Sequence, residues 1–251
     1  MKVRVALLLA LLGLGACAPA TKLVPPPRPA AGLPPLGPCP PSSWRPDAPP
    51  PTASARISIV LLAVQEWARF GRQALTFSLN EEPRLERLGV QERDAPERIR
   101  DYWAAVDKPA LSGLNDVPWS AAFISWAIES AGVARDLFCP DQRHTIYVER
   151  MVERTRRTGA GFVPHRPNEY TPRVGDLLCS SREGSGITLD NLNRGAGHCD
   201  IVVEIRAGEV HAIGGNVGDS VSRSIFPLAA SGFMTGVPGR PLFAVIENRL
   251  P

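Results

Sequence analysis

The feature that most constrains this chain is a change of hydrophobic period at Pro172. Upstream, apolar residues recur every three or four positions; downstream, they fall in short blocks between glycine-rich turns. Ala55–Ser78 carries a helical stripe of Ile57, Val60, Leu61, Val64, Trp67 and Ala68. A second helix is expected near Ala95–Val106, with Pro96 at its start and Ile99, Trp103 and Val106 aligned. Asn115–Val133 predicts a third: Asp116 is placed to cap it, Pro118 fits the first turn, and Gly132 ends it. A fourth, near Asp141–Arg157, has Ile146, Val148, Met151 and Val152 in its stripe. Beyond Pro172 the chain reads as strands, first from Val174 to Cys179, then Cys199–Ile205, Glu209–Ile213, Ser220–Phe226 and Leu242–Ile246. Helices followed by strands with hairpin connections imply an α+β fold, N-terminal helices packed on a small antiparallel β-sheet. No internal repeat is present.

The N-terminus carries an address. Lys2 and Arg4 precede the apolar run Val5–Leu12, which is too short to span a bilayer comfortably. Leu14-Gly15-Ala16-Cys17 then resembles a bacterial lipoprotein signal, which implies cleavage before Cys17 and lipidation of its thiol. The alternative is a plain secretory signal with a chance cysteine. Ala18 after the cysteine implies, by the same resemblance, a lipid-anchored protein sorted to the outer membrane and facing the periplasm. Proline clusters such as Pro25-Pro26-Pro27 and Pro49-Pro50-Pro51 favour extended polyproline II and give a spacer. The expected organisation is therefore a signal peptide over 1–16, a tether over 17–52 and one domain over 53–251 with its core at 106–251. Net charge is +3, two of the positives being Lys2 and Arg4, so the remainder has no nucleic-acid footprint.

Ser120 lies in the first turn of the expected third helix, where free N–H groups and the helix dipole favour a developing anion. Serine is also common near helix starts for capping reasons alone. His198 follows Gly195-Ala196-Gly197 and opens a strand, and Asn216 stands where the next strand ends. A hairpin can bring those two together, so Ser120, His198 and Asn216 satisfy the nucleophile, base and orienter logic. His144 and Tyr147, one helical turn apart, are candidates to line the cleft and contact substrate, with Trp119 beside Ser120; a half-buried packing pair is the other reading. His211 reads as structural and His165 as loop. The cysteines lack paired short spacing, so no metal site and no cofactor is expected. In an exported chain they can instead form disulfides. Cys179 and Cys199 fall on strands expected to be neighbours and are expected to pair, closing a short loop worth about 3 kcal/mol of chain entropy; the competing reading is two buried free thiols in the core. Cys39 and Cys139 are left over and could pin the tether to the domain.

The residues Pro118 to Trp126, Gly175-Asp176, Gly197-His198 and Gly214-Gly215-Asn216 resemble the cysteine/histidine-dependent amidohydrolase and peptidase domains of the papain-like cell-wall hydrolases. Those domains read Trp-Cys-Ala-Ala-Phe where this chain has Ser120 in the cysteine position. The closest resemblance is to a lipoprotein family called domain of unknown function 2272, through Trp119–Phe123 and the strand His198–Val203. It implies a papain-like fold and an envelope protein acting on peptidoglycan or another envelope peptide. A hydroxyl lacks the low pKa that makes a thiolate available near neutrality. Two functions therefore stand open: a hydrolase using Ser120, His198 and Asn216, or a catalytically inactive peptidoglycan-binding or scaffolding lipoprotein on the same scaffold.

Overall fold

The computed structural model describes residues 34–46, 54–182 and 184–251. Cys17, with the expected signal peptide, lies outside the described residues. Among the described residues no helix is long and apolar enough to cross a membrane.

The chain is α+β. Its helices are α1 (Ala55–Arg69), α2 (Pro96–Ala104), α3 (Ser120–Ser130) and α4 (His144–Thr158). Its strands are β1 (Gln73–Thr76), β2 (Arg84–Arg87), β3 (Phe162–His165), β4 (Leu177–Ser181), β5 (Gly197–Arg206), β6 (Glu209–Gly214), β7 (Ser222–Pro227) and β8 (Leu242–Asn248). They form one sheet in the order β2-β1-β7-β6-β5-β4-β8-β3.

The sheet corrects the expectation of a small antiparallel one: it has eight strands, and β1 runs parallel to β7. The three additional strands are four residues each, too short to show a period, and every residue of β2 is exposed. Pro164 lies in β3, an edge strand, where its missing N–H costs no ladder bond. The first helix also stops earlier than its stripe suggested. Gly71 and Arg72 both take left-handed backbone (φ 74° and 63°) and turn the chain into β1. Gln73 then ties the start of β1 to the segments around β7 and β2. Its amide nitrogen donates to the Val217 and Gly218 carbonyls and to Ser222 Oγ, while its amide oxygen accepts from Gly89 N and Gln91 Nε2.

The core lies on both faces of the sheet. Ile59, Trp103, Phe123 and Ile128 meet Leu177, Ile201 and Ile246 on the helix side. On the other side Leu178, Val202 and Val245 pack with Phe77, Phe226 and Met234. The third helix is buried almost all round, and only Glu129 of its eleven residues is not fully buried. An apolar surface on every side is what a central helix needs.

Asp176, of the Gly175-Asp176 pair, is an architectural hub. Its carboxylate accepts from Arg173 N, Asn248 N, Tyr170 Oη and Arg56 Nη2, tying the start of α1 and the last strand to the entry of β4. Cys179 and Cys199 sit directly opposite in the β4–β5 ladder and are joined by a disulfide. A second disulfide joins Cys39 to Cys139, and so holds segment 34–46 on the domain. That segment is also held by Arg135, Arg150 and Arg194, which donate to the Pro40, Gly37 and Pro34 carbonyls.

Candidate active site

The site is built where the start of α3, the start of α4 and the head of β5 converge. Helix α3 begins at Ser120 itself, after Trp119, with no side chain capping its first turn. The first closed turn is Phe123 N to Trp119 O, so the earlier N–H groups remain unpaired within the helix. Asp116 therefore does not cap, because the helix starts four residues beyond it.

Ser120 Oγ lies 2.7 Å from His144 Nε2, and both residues are buried. The sequence reading paired Ser120 with His198; the structure places His144 there instead. His144 is the first residue of α4, and Tyr147 lies one turn on, so its hydroxyl meets His144 Nδ1. For Nε2 to accept the serine proton, Nδ1 must carry the ring hydrogen and donate it to Tyr147 Oη. Tyr147 is fully buried against Phe138, with ring centroids 5.2 Å apart, which fixes the hydroxyl. His144 opens onto a cleft of about 480 Å³ lined by Ser120, Arg143, Arg182 and the small residues Gly195–Gly197. Tyr147 stands behind His144, out of reach of substrate.

His198 belongs to a second group. Its Nε2 is 3.0 Å from Asp200 Oδ1, and Arg240 Nη1 is 3.0 Å from Asp200 Oδ2. His198 and Asp200 share a face of β5, two residues apart, while Cys199 points to the opposite face. The two imidazole rings are 5.4 Å apart between centroids. Gly214 makes room for this arrangement, since a Cβ there would lie 1.9 Å from Asp200 Oδ1.

Asn216 does not join His198. It takes left-handed backbone (φ 58°) after Gly214-Gly215, and its amide donates to Glu92 Oε2 at 3.2 Å. The same oxygen accepts the Trp119 indole N–H at 2.7 Å. Trp119 is accordingly a core residue, stacked on Tyr102 and not presented to substrate. Gly215 is needed for that packing, because a Cβ would strike the Trp119 ring at 2.5 Å.

The electrostatics separate the two groups. Burial pushes His144 well below the ordinary imidazole value, and His198, Arg182 and Arg240 add to the push. Burial likewise raises Tyr147 well above the usual phenol value. His198 is lowered by burial and by Arg240, against the pull of Asp200. Burial opposes the charge on Asp200, but His198 and Arg240 outweigh it and hold the carboxyl below its usual range. Near neutrality both imidazoles are therefore uncharged and Asp200 is ionised.

Asp200 was within reach of sequence reasoning, since alternation puts it beside His198. Arg240 and Glu92 were not, being far along the chain and without a local signal. Among the described residues no group of three His, Cys, Asp or Glu is arranged to hold a metal ion.

A serine on an uncapped helix start, hydrogen-bonded to a neutral histidine beside an open cleft, defines an α+β protein with a candidate hydroxyl–imidazole site. Residues 95–245 match the family described as "Uncharacterized protein conserved in bacteria (DUF2272)", and the chain belongs to that family. No curated protein and no solved structure matches the chain.

Proposed function

We propose that this domain is an envelope-anchored amidase or peptidase of cell-wall peptides, with Ser120 as nucleophile and His144 as base. The observation that carries the reading is the 2.7 Å contact between Ser120 Oγ and His144 Nε2 at the cleft. Ser120 would attack the scissile carbonyl as Nε2 takes its proton, with Nδ1–H held on Tyr147. The unpaired N–H groups of the first turn of α3 would receive the oxyanion. The imidazolium would then protonate the leaving amine, and water would release the acyl group by the same steps in reverse. The resemblance to cysteine/histidine amidohydrolases supports the substrate class, and the Cys17 motif supports lipid attachment in the envelope.

One observation favours the alternative of a silent peptidoglycan-binding or scaffolding lipoprotein. The orienter of His144 is a neutral phenol, and burial works against the imidazolium that attack must create. Purified sacculi incubated with the domain test both readings. A hydrolase releases peptides or free amines, and Ser120→Ala abolishes the release. Binding of sacculi without release, with hydrolysis appearing only in Ser120→Cys, would establish the silent module.

A further inference from the structure

We propose that Arg143 and Arg182 form an anion clamp at the mouth of the Ser120 cleft, so that the site takes an acidic peptide, with a carboxylate close to the bond offered to Ser120. The proposal rests on the reading that this cleft receives a peptide.

Three arginines line the cleft, and they differ in what they hold. Arg194 is committed: its guanidinium contacts both oxygens of Glu149, at 2.9 and 3.0 Å, and donates to the Pro34 carbonyl. Arg143 and Arg182 are exposed, and among the described residues neither guanidinium has an ion pair or a hydrogen bond. Asp141, two residues before Arg143, accepts the Arg143 backbone N–H at 2.9 Å. Arg182 is fixed at its backbone, where its N–H donates to the Ala196 carbonyl at 3.0 Å, on the glycine-flanked floor. Arg182 also lines the adjoining cleft of about 420 Å³ with His198, Asn216 and Arg240, and so stands between the two openings. In that second cleft Arg240 is committed to Asp200.

No Asp or Glu is among the described residues lining the Ser120 cleft. Both imidazoles are held below their ordinary value, by burial first and by Arg182 among the other causes, so the charge of Arg182 reaches the His144 ring. The result is a concave surface with two positive charges from two separate segments, and among the described residues neither guanidinium is held in an ion pair. Guanidinium groups are weakly hydrated and match carboxylates in a bidentate fork, so an acidic side chain is the complement this surface fits. Field lines focus in such a cleft and raise the local concentration of anionic ligand.

The test uses two capped peptides, acetyl-Ala-Glu-Ala-Ala-amide and its Gln counterpart, titrated calorimetrically against the mature chain carrying Ser120→Ala. The expected result is a preference of about tenfold for the Glu peptide, weakening with salt. Adding Arg143→Ala and Arg182→Ala together should erase the preference. Both positions are exposed, and an unchanged thermal unfolding curve checks that the fold is kept. Equal binding of the two peptides, no saturable binding of either, or a preference that survives the double substitution would overturn the clamp. Because binding is read without Ser120, the preference stands even where native protein never hydrolyses sacculi, and then only the hydrolase reading fails. Hydrolysis with no preference for Glu would sink the clamp alone.

Discussion

Two histidines with ring centroids 5.4 Å apart are held in opposite ways. His144 lies between two hydroxyls, Ser120 and Tyr147, and among the described residues no carboxylate is hydrogen-bonded to it. His198 rests on Asp200, which in turn holds Arg240. The first arrangement leaves a neutral imidazole free to exchange a proton with the serine. The second is a buried charged network whose pieces satisfy one another. Proximity to a serine and partnership with a carboxylate, which a hydrolase triad joins in one histidine, are here divided between two.

The sharpest way to break that comparison is to remove each ring in turn. On the proposed mechanism His144→Gln should lower hydrolysis of sacculi about a thousandfold or more, as losing a triad histidine does. His198→Gln should retain most of the rate. The reverse order, measured as initial rates of amine release, would return the base role to His198.

Stability should rank the two groups the other way. Asp200→Ala leaves Arg240 half-buried and unpaired and should cost about 3–5 kcal/mol. Tyr147→Phe removes one hydroxyl from His144 and should cost about 1 kcal/mol. Urea denaturation of both variants measures the difference, and equal costs would show that the two networks are energetically alike.

A graded effect is expected in pH. Both histidines are lowered below 6.5, so between 6.5 and their folded-state values the unfolded chain binds more protons than the folded one. The contribution is complete above about 6.5 and is lost as pH falls through that window, at up to about 1.4 kcal/mol per pH unit for each ring. Asp200, depressed below 3.8, adds its loss only further down, as pH falls from about 3.8 through its folded value. Denaturation midpoints across a pH series should therefore slope less in His144→Gln and in His198→Gln than in the native chain. Parallel slopes would remove the burial argument for both.

The parts of this protein legible in its sequence are those in which a residue's role is set by near neighbours. The stripe in α3 located the helix and put Ser120 in its first turn, although the helix begins at Ser120 and not near Asp116. The turn signals around Ala207-Gly208 located the β5–β6 hairpin. The pairing of Cys179 with Cys199 followed from expecting β4 and β5 side by side, and in the ladder the two are directly opposed. Asp200 also lay in the local pattern, two residues after His198 on the same face of the strand.

What tertiary structure alone decided is which side chains from distant segments share a volume. His144 and Ser120 are brought together where the starts of α4 and α3 meet over β5, which no periodicity reports. Arg240 reaches Asp200 from forty residues away, and Glu92 collects both Trp119 and Asn216. Even the edge of the sheet depended on it, since β1 is only four residues long and pairs with β7 at the far end of the chain. Short-range patterning fixes backbone periods because each residue's preference is felt within a few positions. The wiring of a site depends on the closure of long loops, and the chain records that only once it is folded.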